Sequence, residues 1–168
     1  MTATNIVQRP AITSDAKSLA KFLDALADEN LDTVSGIRPT AAAEAEFIER
    51  AAQSERALIL IALDGNDVIG MLDLWGGEKP INQHMGRLGT SVLAPYRRKG
   101  VAQNLLRAAI HEARTWPDFC RIELDVVPWN EPAIRLYETA GFIREGTKRK
   151  AALIAGKPVD VVQMALVW

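Results

Sequence analysis

Three consecutive cations, Arg97, Arg98 and Lys99, stand between the end of an apolar run (Val92-Leu93-Ala94-Pro95) and a helical pattern that opens at Gly100-Val101-Ala102. The first turn of a helix leaves its N–H groups without intrahelical partners and carries about half a positive charge, so an anion seated there gains hydrogen bonds and a favourable dipole. Gly100 lets the backbone come close to such an anion, and small Ala102 does the same one step later. The three cations can neutralise a pyrophosphate or a ribose phosphate. This is chemistry suited to a diphosphate. A solvated turn explains the tripeptide alone equally well; the glycine, the small residue and the preceding strand shift the balance toward a ligand. Two other phosphate sites are excluded by spacing. A Walker loop needs Gly-x-x-x-x-Gly-Lys-Ser/Thr, whereas here Lys99 precedes Gly100 and Val101 follows. A dinucleotide fingerprint needs Gly-x-Gly-x-x-Gly, which Gly86, Gly89 and Gly100 do not match.

A second segment runs from Asn130 to Phe142. Asn130 is a good helix cap and Pro132 suits a first turn, so both have a purely structural explanation. Tyr137 follows Asn130 by about two turns, which puts the two side chains on one helix face within reach of one ligand. A buried tyrosine in such a place is more often core than catalyst. The two histidines and the single cysteine, His84, His111 and Cys120, show no zinc-ligand spacing, so no metal site is expected. Cys120 reads as a small, half-buried residue.

The elements that must position these residues are read from periodicity. Asn5 to Ile12 forms a short edge strand. Ser14-Asp15 can cap an amphipathic helix that ends near Asn30, with Ala16, Leu19, Ala20, Leu23, Leu26 and Ala27 on one face. The stretch Leu31 to Pro39 reads as a loop, and a second helix spans about Thr40 to Ser54 with Phe47, Ile48 and Ala51 inward. The apolar run Leu58 to Ile61, the turn Asp64-Gly65-Asn66-Asp67 and the run Val68 to Trp75 make a hairpin, and Met85 to Leu93 adds a third antiparallel strand. A third helix places Val101, Leu105, Ala108, Ala109, Glu112 and Ala113 in register and closes at Trp116-Pro117. Arg121 to Val127 is then a strand parallel to the one before the helix, by a right-handed crossover. A fourth helix spans about Asn130 to Ala140 and stops at Gly141. Two last strands, Phe142 to Ala152 and Val159 to Val167, join through Ala155-Gly156-Lys157. The sum is an α/β domain with one mixed, mostly antiparallel sheet of about six to seven strands and about four helices.

Length and charge bound the remaining classes. At about 150 residues per domain, 168 residues make one domain, 1–168. With 20 basic against 21 acidic residues, the net charge of −1 gives no global field toward nucleic acid or an anionic membrane. The longest apolar run, Ala57 to Leu63, is far short of the ~20 residues of a spanning helix. The N-terminal residues carry neither a basic leader nor an apolar core, so a cytoplasmic location is expected.

Taken together, Arg97-x-x-Gly100-x-Ala102 and Asn130-x-x-Ala133-x-x-Leu136-Tyr137-Glu138-x-x-Gly141-Phe142 resemble the GNAT family of N-acetyltransferases. Ile6-Val7-x-Arg9-Pro10 with Asp15-Ala16 is similar to that family's opening. His84-x-Gly86-x-Leu88-Gly89, Glu145-Gly146 and Gly156-Lys157-x-x-Asp160 look like the branch acting on amino acids, polyamines or protein N-termini. The resemblance implies a sheet splayed between its central strands, those ending near Val92 and running from Arg121 to Val127. It implies that the backbone of Val92, Leu93 and Ala94 pairs with the pantetheine arm of acetyl-CoA like an added strand. It further implies that Arg97, Arg98, Lys99, Gly100, Val101, Ala102 and Gln103 hold the pyrophosphate, and that Asn130 binds pantetheine. Tyr137 would then protonate the departing thiolate, its phenol of pKa about 10 lying close to a thiol's. The reaction implied is direct attack of a primary amine, from a small molecule or a peptide N-terminus, in a ternary complex. A homodimer is also in keeping with the family. One departure bears on the mechanism. Many members carry a glutamate base on the strand before the loop, where this chain has Arg87. The base is therefore open among His84, Glu123, Asp73 and ordered water, and the alternative reading is a catalytically silent acyl-CoA-binding regulatory module.

Overall fold

The computed structural model describes residues 6–29 and 38–168. In chain order the elements are β1 (Ile6–Pro10), α1 (Ala16–Asp28), α2 (Ala41–Ala52), β2 (Ala57–Asp64), β3 (Asp67–Gly76), β4 (Met85–Val92), α3 (Val101–Ala113), β5 (Arg121–Val126), α4 (Glu131–Thr139), β6 (Ile143–Ile154) and β7 (Lys157–Val167). Short 3-10 turns at Thr13–Asp15 and Ala94–Tyr96 precede α1 and follow β4. The seven strands form one sheet in the order β1-β2-β3-β4-β5-β7-β6. The mixed, mostly antiparallel sheet and four helices read from the sequence are thus present.

Every neighbouring pair is antiparallel except β4 and β5, which the α3 crossover makes parallel. That pair is joined only at Met85↔Arg121, Gly86↔Ile122 and Arg87↔Glu123, while β4 stays in register with β3 as far as Gly70↔Val92. From Leu88 to Val92, β4 therefore has a partner on one side only, and a gap opens between it and β5. This is the expected splay.

Two apolar clusters lie on opposite faces of the sheet. On one, Leu19, Phe22 and Leu26 of α1 and Ile48 and Ala51 of α2 pack on Ile59, Ile61 and Met71. On the other, Val101, Leu105, Leu106 and Ala109 of α3 and Ile134 and Tyr137 of α4 pack on Leu72, Leu74, Leu88, Val92, Ile122, Leu124 and Val126. Strand side chains alternate between these faces, so β2 and β3 contribute to both clusters.

Several boundaries differ from expectation. The edge strand expected to run to Ile12 ends at Pro10, and Asn5 lies outside the described residues. Asp15 does not cap α1: its carboxylate accepts two bonds from Arg9, at 2.6 and 2.8 Å, and one from the Ile12 N–H at 2.9 Å. A bidentate charge-assisted pair is stronger than a cap, and it ties β1 to the start of α1. The helix expected to end near Asn30 ends at Asp28, and Asn30 and the expected loop as far as residue 37 lie outside the described residues. In α3, Ala108 and Glu112 are exposed, and Leu106 takes a place in the core instead. The last two strands reach to Ile154 and Lys157 because Ala155 and Gly156 both take positive φ, 48° and 73°, the tight two-residue turn that suits a twisted hairpin.

Candidate active site

The gap ends, at its Val92 side, beside the segment that the sequence singled out. Gly100 stands at the N-terminus of α3 with φ 79°, and Arg98 also has positive φ, 59°. Alternating left-handed residues turn successive backbone N–H groups toward one side, a concavity that suits an anion. The first intrahelical bond of α3 runs from the Asn104 N–H to the Gly100 carbonyl at 3.0 Å, so the amides of Val101, Ala102 and Gln103 precede it and are left for a ligand. A Cβ built on Gly100 would meet nothing within 4 Å, so the space in front of the backbone is open. Arg98, Lys99, Gly100 and Gln103 are exposed around it, and the Lys99 ammonium lies 5.5 Å from the centre of the Tyr96 ring.

Arg97 is placed differently. Its Nε donates to the Val92 carbonyl at 2.8 Å, and its guanidinium is paired with Glu29, just past α1. Glu29 also accepts from the Ala94 N–H at 2.8 Å. Glu29 and Arg97 together brace the loop between β4 and α3, so this arginine shapes the anion site rather than facing it. Glu29 was missed in the sequence, where it is one more charge at the end of an amphipathic helix.

The backbone of the gap can be assigned strand by strand. The Leu93 N–H donates to the Ile69 carbonyl at 3.0 Å, toward β3, and the Ala94 N–H is held by Glu29. Because the groups of an antiparallel strand point alternately left and right, the amides of Val92 and Thr90 turn into the gap, while that of Leu88, on the same side, closes the last β4–β5 bridge at Arg87↔Glu123. Of the three residues expected to pair with an extended ligand, Val92 is so turned. Thr90 joins it, and the N–H groups of Leu93 and Ala94 are engaged elsewhere.

Tyr137 sits in the α3/α4 cluster, which holds Val92 from one lip of the gap and Leu124 and Val126 from the other. It is 7 % exposed, its ring 5.8 Å from that of Phe142. Burial pushes its phenol up to about 12, which corrects the value near 10 that an exposed phenol would have. Asn130 caps α4, its side chain accepting from the Ala133 N–H at 3.3 Å. Its oxygen is thereby engaged, which leaves its NH2 for a ligand.

The opposite face of the gap is polar. Arg87 donates to Asp125 at 2.6 Å and lies 3.7 Å from Glu123; Lys148 reaches Asp125 at 2.9 Å; Gln163 and Arg121 bind Glu123 at 3.1 and 3.2 Å. Glu123 is thus buried but fully occupied. His84 is exposed, in the turn that precedes β4, at the end of the strand away from Val92. Asp73, partly buried on β3, is pushed up to about 6 by desolvation, which outweighs the Trp75 side chain and its own backbone. Among the described residues no three His, Cys, Asp or Glu side chains converge as a metal site, and no helix is long and apolar enough to cross a membrane.

Residues 23–142 match the model of the acetyltransferase (GNAT) family. The chain is 37% identical to the L-amino acid N-acetyltransferase AaaT of Escherichia coli over 119 residues, covering 71% of this chain and 74% of that protein. Its fold is similar to that of a GNAT acetyltransferase from Streptococcus pneumoniae, with a TM-score of 0.91, 28% identity, and 98% and 100% of the two chains covered. It is also similar, with a TM-score of 0.85 at 16% identity over 96% of this chain and 93% of the other, to YncA of Salmonella typhimurium, whose structure contains acetyl-CoA.

Proposed function

The chain belongs to the GNAT acetyltransferase family, and from that premise we propose that it moves the acetyl group of acetyl-CoA to a primary amine of a small molecule such as an amino acid or a polyamine, or of a protein N-terminus. The transfer is by direct attack in a ternary complex in the cytoplasm. The single observation that carries the reading is the gap between β4 and β5, which starts at an open α3 N-terminus and is lined by unpaired amides. The 37% identity to an L-amino acid N-acetyltransferase supports an α-amine as acceptor.

Each part of the gap has a task. The amides of Val101, Ala102 and Gln103, with Arg98, Lys99 and Gly100, hold the donor's diphosphate; Arg97 fixes the shape of their loop. Val92 and Thr90 hold the pantetheine arm by its amides, as one strand holds another, with Asn130 supplying a donor at the far lip. The arm runs from the α3 end of the gap toward Arg87↔Glu123, where β4 and β5 close, so the thioester comes to rest beside Leu88 and Gly89. The neighbouring Thr90 N–H, turned into the gap, polarises its carbonyl. As the C–N bond forms and the C–S bond breaks, Tyr137 gives its proton to the leaving sulfur and is reprotonated from solvent. Burial raises the phenol, but it disfavours a thiolate in the same setting in the same direction, so the two acids stay comparable.

A panel of L-amino acids, 1,4-diaminobutane and a short peptide, assayed for CoA release with acetyl-CoA, tests the reading. Turnover with intersecting double-reciprocal lines is expected. Parallel lines with an acetylated residue overturn the mechanism, and acetyl-CoA binding without turnover on any amine returns the silent-module reading.

A further inference from the structure

We propose that Glu44 and Asp73 form the seat for the acceptor's ammonium group, and that Asp73 takes the proton the amine must lose before it attacks. The inference rests on the donor reading above and goes beyond it by naming the groups that recognise a cationic amine.

Glu44 lies on the inward stripe of α2, one turn before Ile48 and two before Ala51, where the helical period calls for an apolar side chain. It is 6 % exposed, and its Oε2 is buried with no hydrogen-bond partner among the described residues. Asp73 alternates with Met71 and Trp75 on β3, which places it on the face that α1 and α2 cover. The two carboxyls share one region: Asp73 raises the Glu44 carboxyl by like-charge repulsion, on top of desolvation.

Among the described residues no cation pairs with either, although the Trp75 side chain bonds Asp73. Arg50, on α2, lies over the Trp75 ring at 4.8 Å and near the Phe47 ring at 5.7 Å. Arg87, on β4, is engaged by Asp125 and Glu123, and Arg97 by Glu29. A buried carboxyl left without partner or counter-charge is costly to keep, and a ligand that brings an ammonium supplies both.

The pair is open toward the chemistry. Asp73 is opposite Gly89 in the β3–β4 register, and a Cβ on Gly89 would stand 3.0 Å from Asp73 Oδ1. Glycine therefore keeps clear a channel from the carboxylate to the stretch of β4 where the thioester rests. Tyr137 belongs to the cluster on the other face of the sheet, which also holds Leu88 and Val92. The proton acceptor and the proton donor thus come from opposite faces.

The step balances. The ammonium N–H breaks and its proton passes to Asp73, whose charge is then restored by loss of that proton to solvent. The freed nitrogen pair forms the C–N bond, the C–S pair leaves on sulfur, and Tyr137 protonates it. The second proton lost from nitrogen replaces the one Tyr137 gave, by way of water.

The test uses the full-length protein and whichever member of the amine panel turns over fastest. Glu44→Gln is expected to raise the acceptor KM about tenfold with kcat changed less than about threefold. Asp73→Asn is expected to lower kcat about 100-fold and to abolish the acid limb of the kcat/KM profile near pH 6; Asp73→Glu restores part of both. Acetyl-CoA affinity, measured by calorimetry, stays within about twofold throughout. Wild-type KM, kcat and pH limb in both variants overturn the inference while leaving the donor reading intact. Equal loss of acetyl-CoA binding in the variants, unrescued by Asp73→Glu, marks a packing role and overturns it as well. A wild-type protein that binds no acetyl-CoA overturns both.

Discussion

The apolar cluster around Tyr137 pushes its phenol up to about 12, so at neutral pH it keeps the proton that its proposed role requires. Removing the hydroxyl alone, by Tyr137→Phe, leaves the ring against Phe142 and the packing unchanged. The interaction lost is one needed chiefly as charge develops on sulfur. We therefore expect kcat to fall about 100-fold with acetyl-CoA affinity within about twofold, read by steady-state kinetics and calorimetry. Equal losses in both would assign the residue to packing. Gly100 is a different kind of residue, since its role is to leave space and to take positive φ. Gly100→Glu places a carboxylate in the anion concavity and strains the backbone. Acetyl-CoA binding should be lost in a titration at concentrations that saturate the parent protein, whereas the melting temperature moves by only a few degrees.

At the scale of elements, the loop between β4 and α3 is braced from a distance by Glu29, which binds both the Ala94 N–H and Arg97. If Arg97 shapes this loop rather than neutralising phosphate, Glu29→Ala and Arg97→Ala should be non-additive. Each should destabilise by about 1 kcal/mol, the pair by little more than either alone, and each should weaken acetyl-CoA binding by the same few-fold. An Arg97→Ala loss far larger than that of Glu29→Ala would return Arg97 to the diphosphate. Nearly all the elements were legible in the sequence because their periods are unmixed: β2 is a continuous apolar run, α1 and α3 carry clear stripes, and Gly100, Gly141 and Gly156 mark ends. The loop before α3 and the helix that carries Tyr137, from which the proposed roles are drawn, stand out because their distinctive residues lie close together in sequence. What stayed hidden depends on pairs distant in sequence. Glu29 meets Arg97 across 68 residues and Arg87 meets Asp125 across 38, and no local pattern announces either. Glu44 left a trace, since a carboxylate on the stripe of Ile48 and Ala51 breaks the period of α2. Thr90 escaped because backbone direction is set by the β3 register, not by side-chain type.

The whole molecule is one sheet with an apolar cluster on each face and a local opening between β4 and β5, and at that opening burial works against the groups it surrounds. Asp73 carries the consequence for stability. Its carboxyl is raised from 3.8 to about 6 in the folded chain. Between those values the folded state holds more protons than the unfolded state, so stability falls as pH rises through this window. Below about pH 4 both states are protonated and the group contributes nothing; above about pH 6.5 the full penalty is present. Two pKa units correspond to about 3 kcal/mol as an upper bound, and partial exposure reduces that to about 1–2 kcal/mol. Asp73→Asn removes the charge and also relieves the repulsion on Glu44, an effect of the same sign. The variant should therefore melt with the parent protein near pH 4 and several degrees above it at pH 8, the difference opening between pH 4 and 6.5 in paired calorimetric scans. A variant that melts below the parent at pH 8 would mean that the carboxylate has a cationic partner inside the fold. Higher stability coupled to lost turnover is the pattern of a residue retained for chemistry at the expense of folding, whereas a packing residue loses both together.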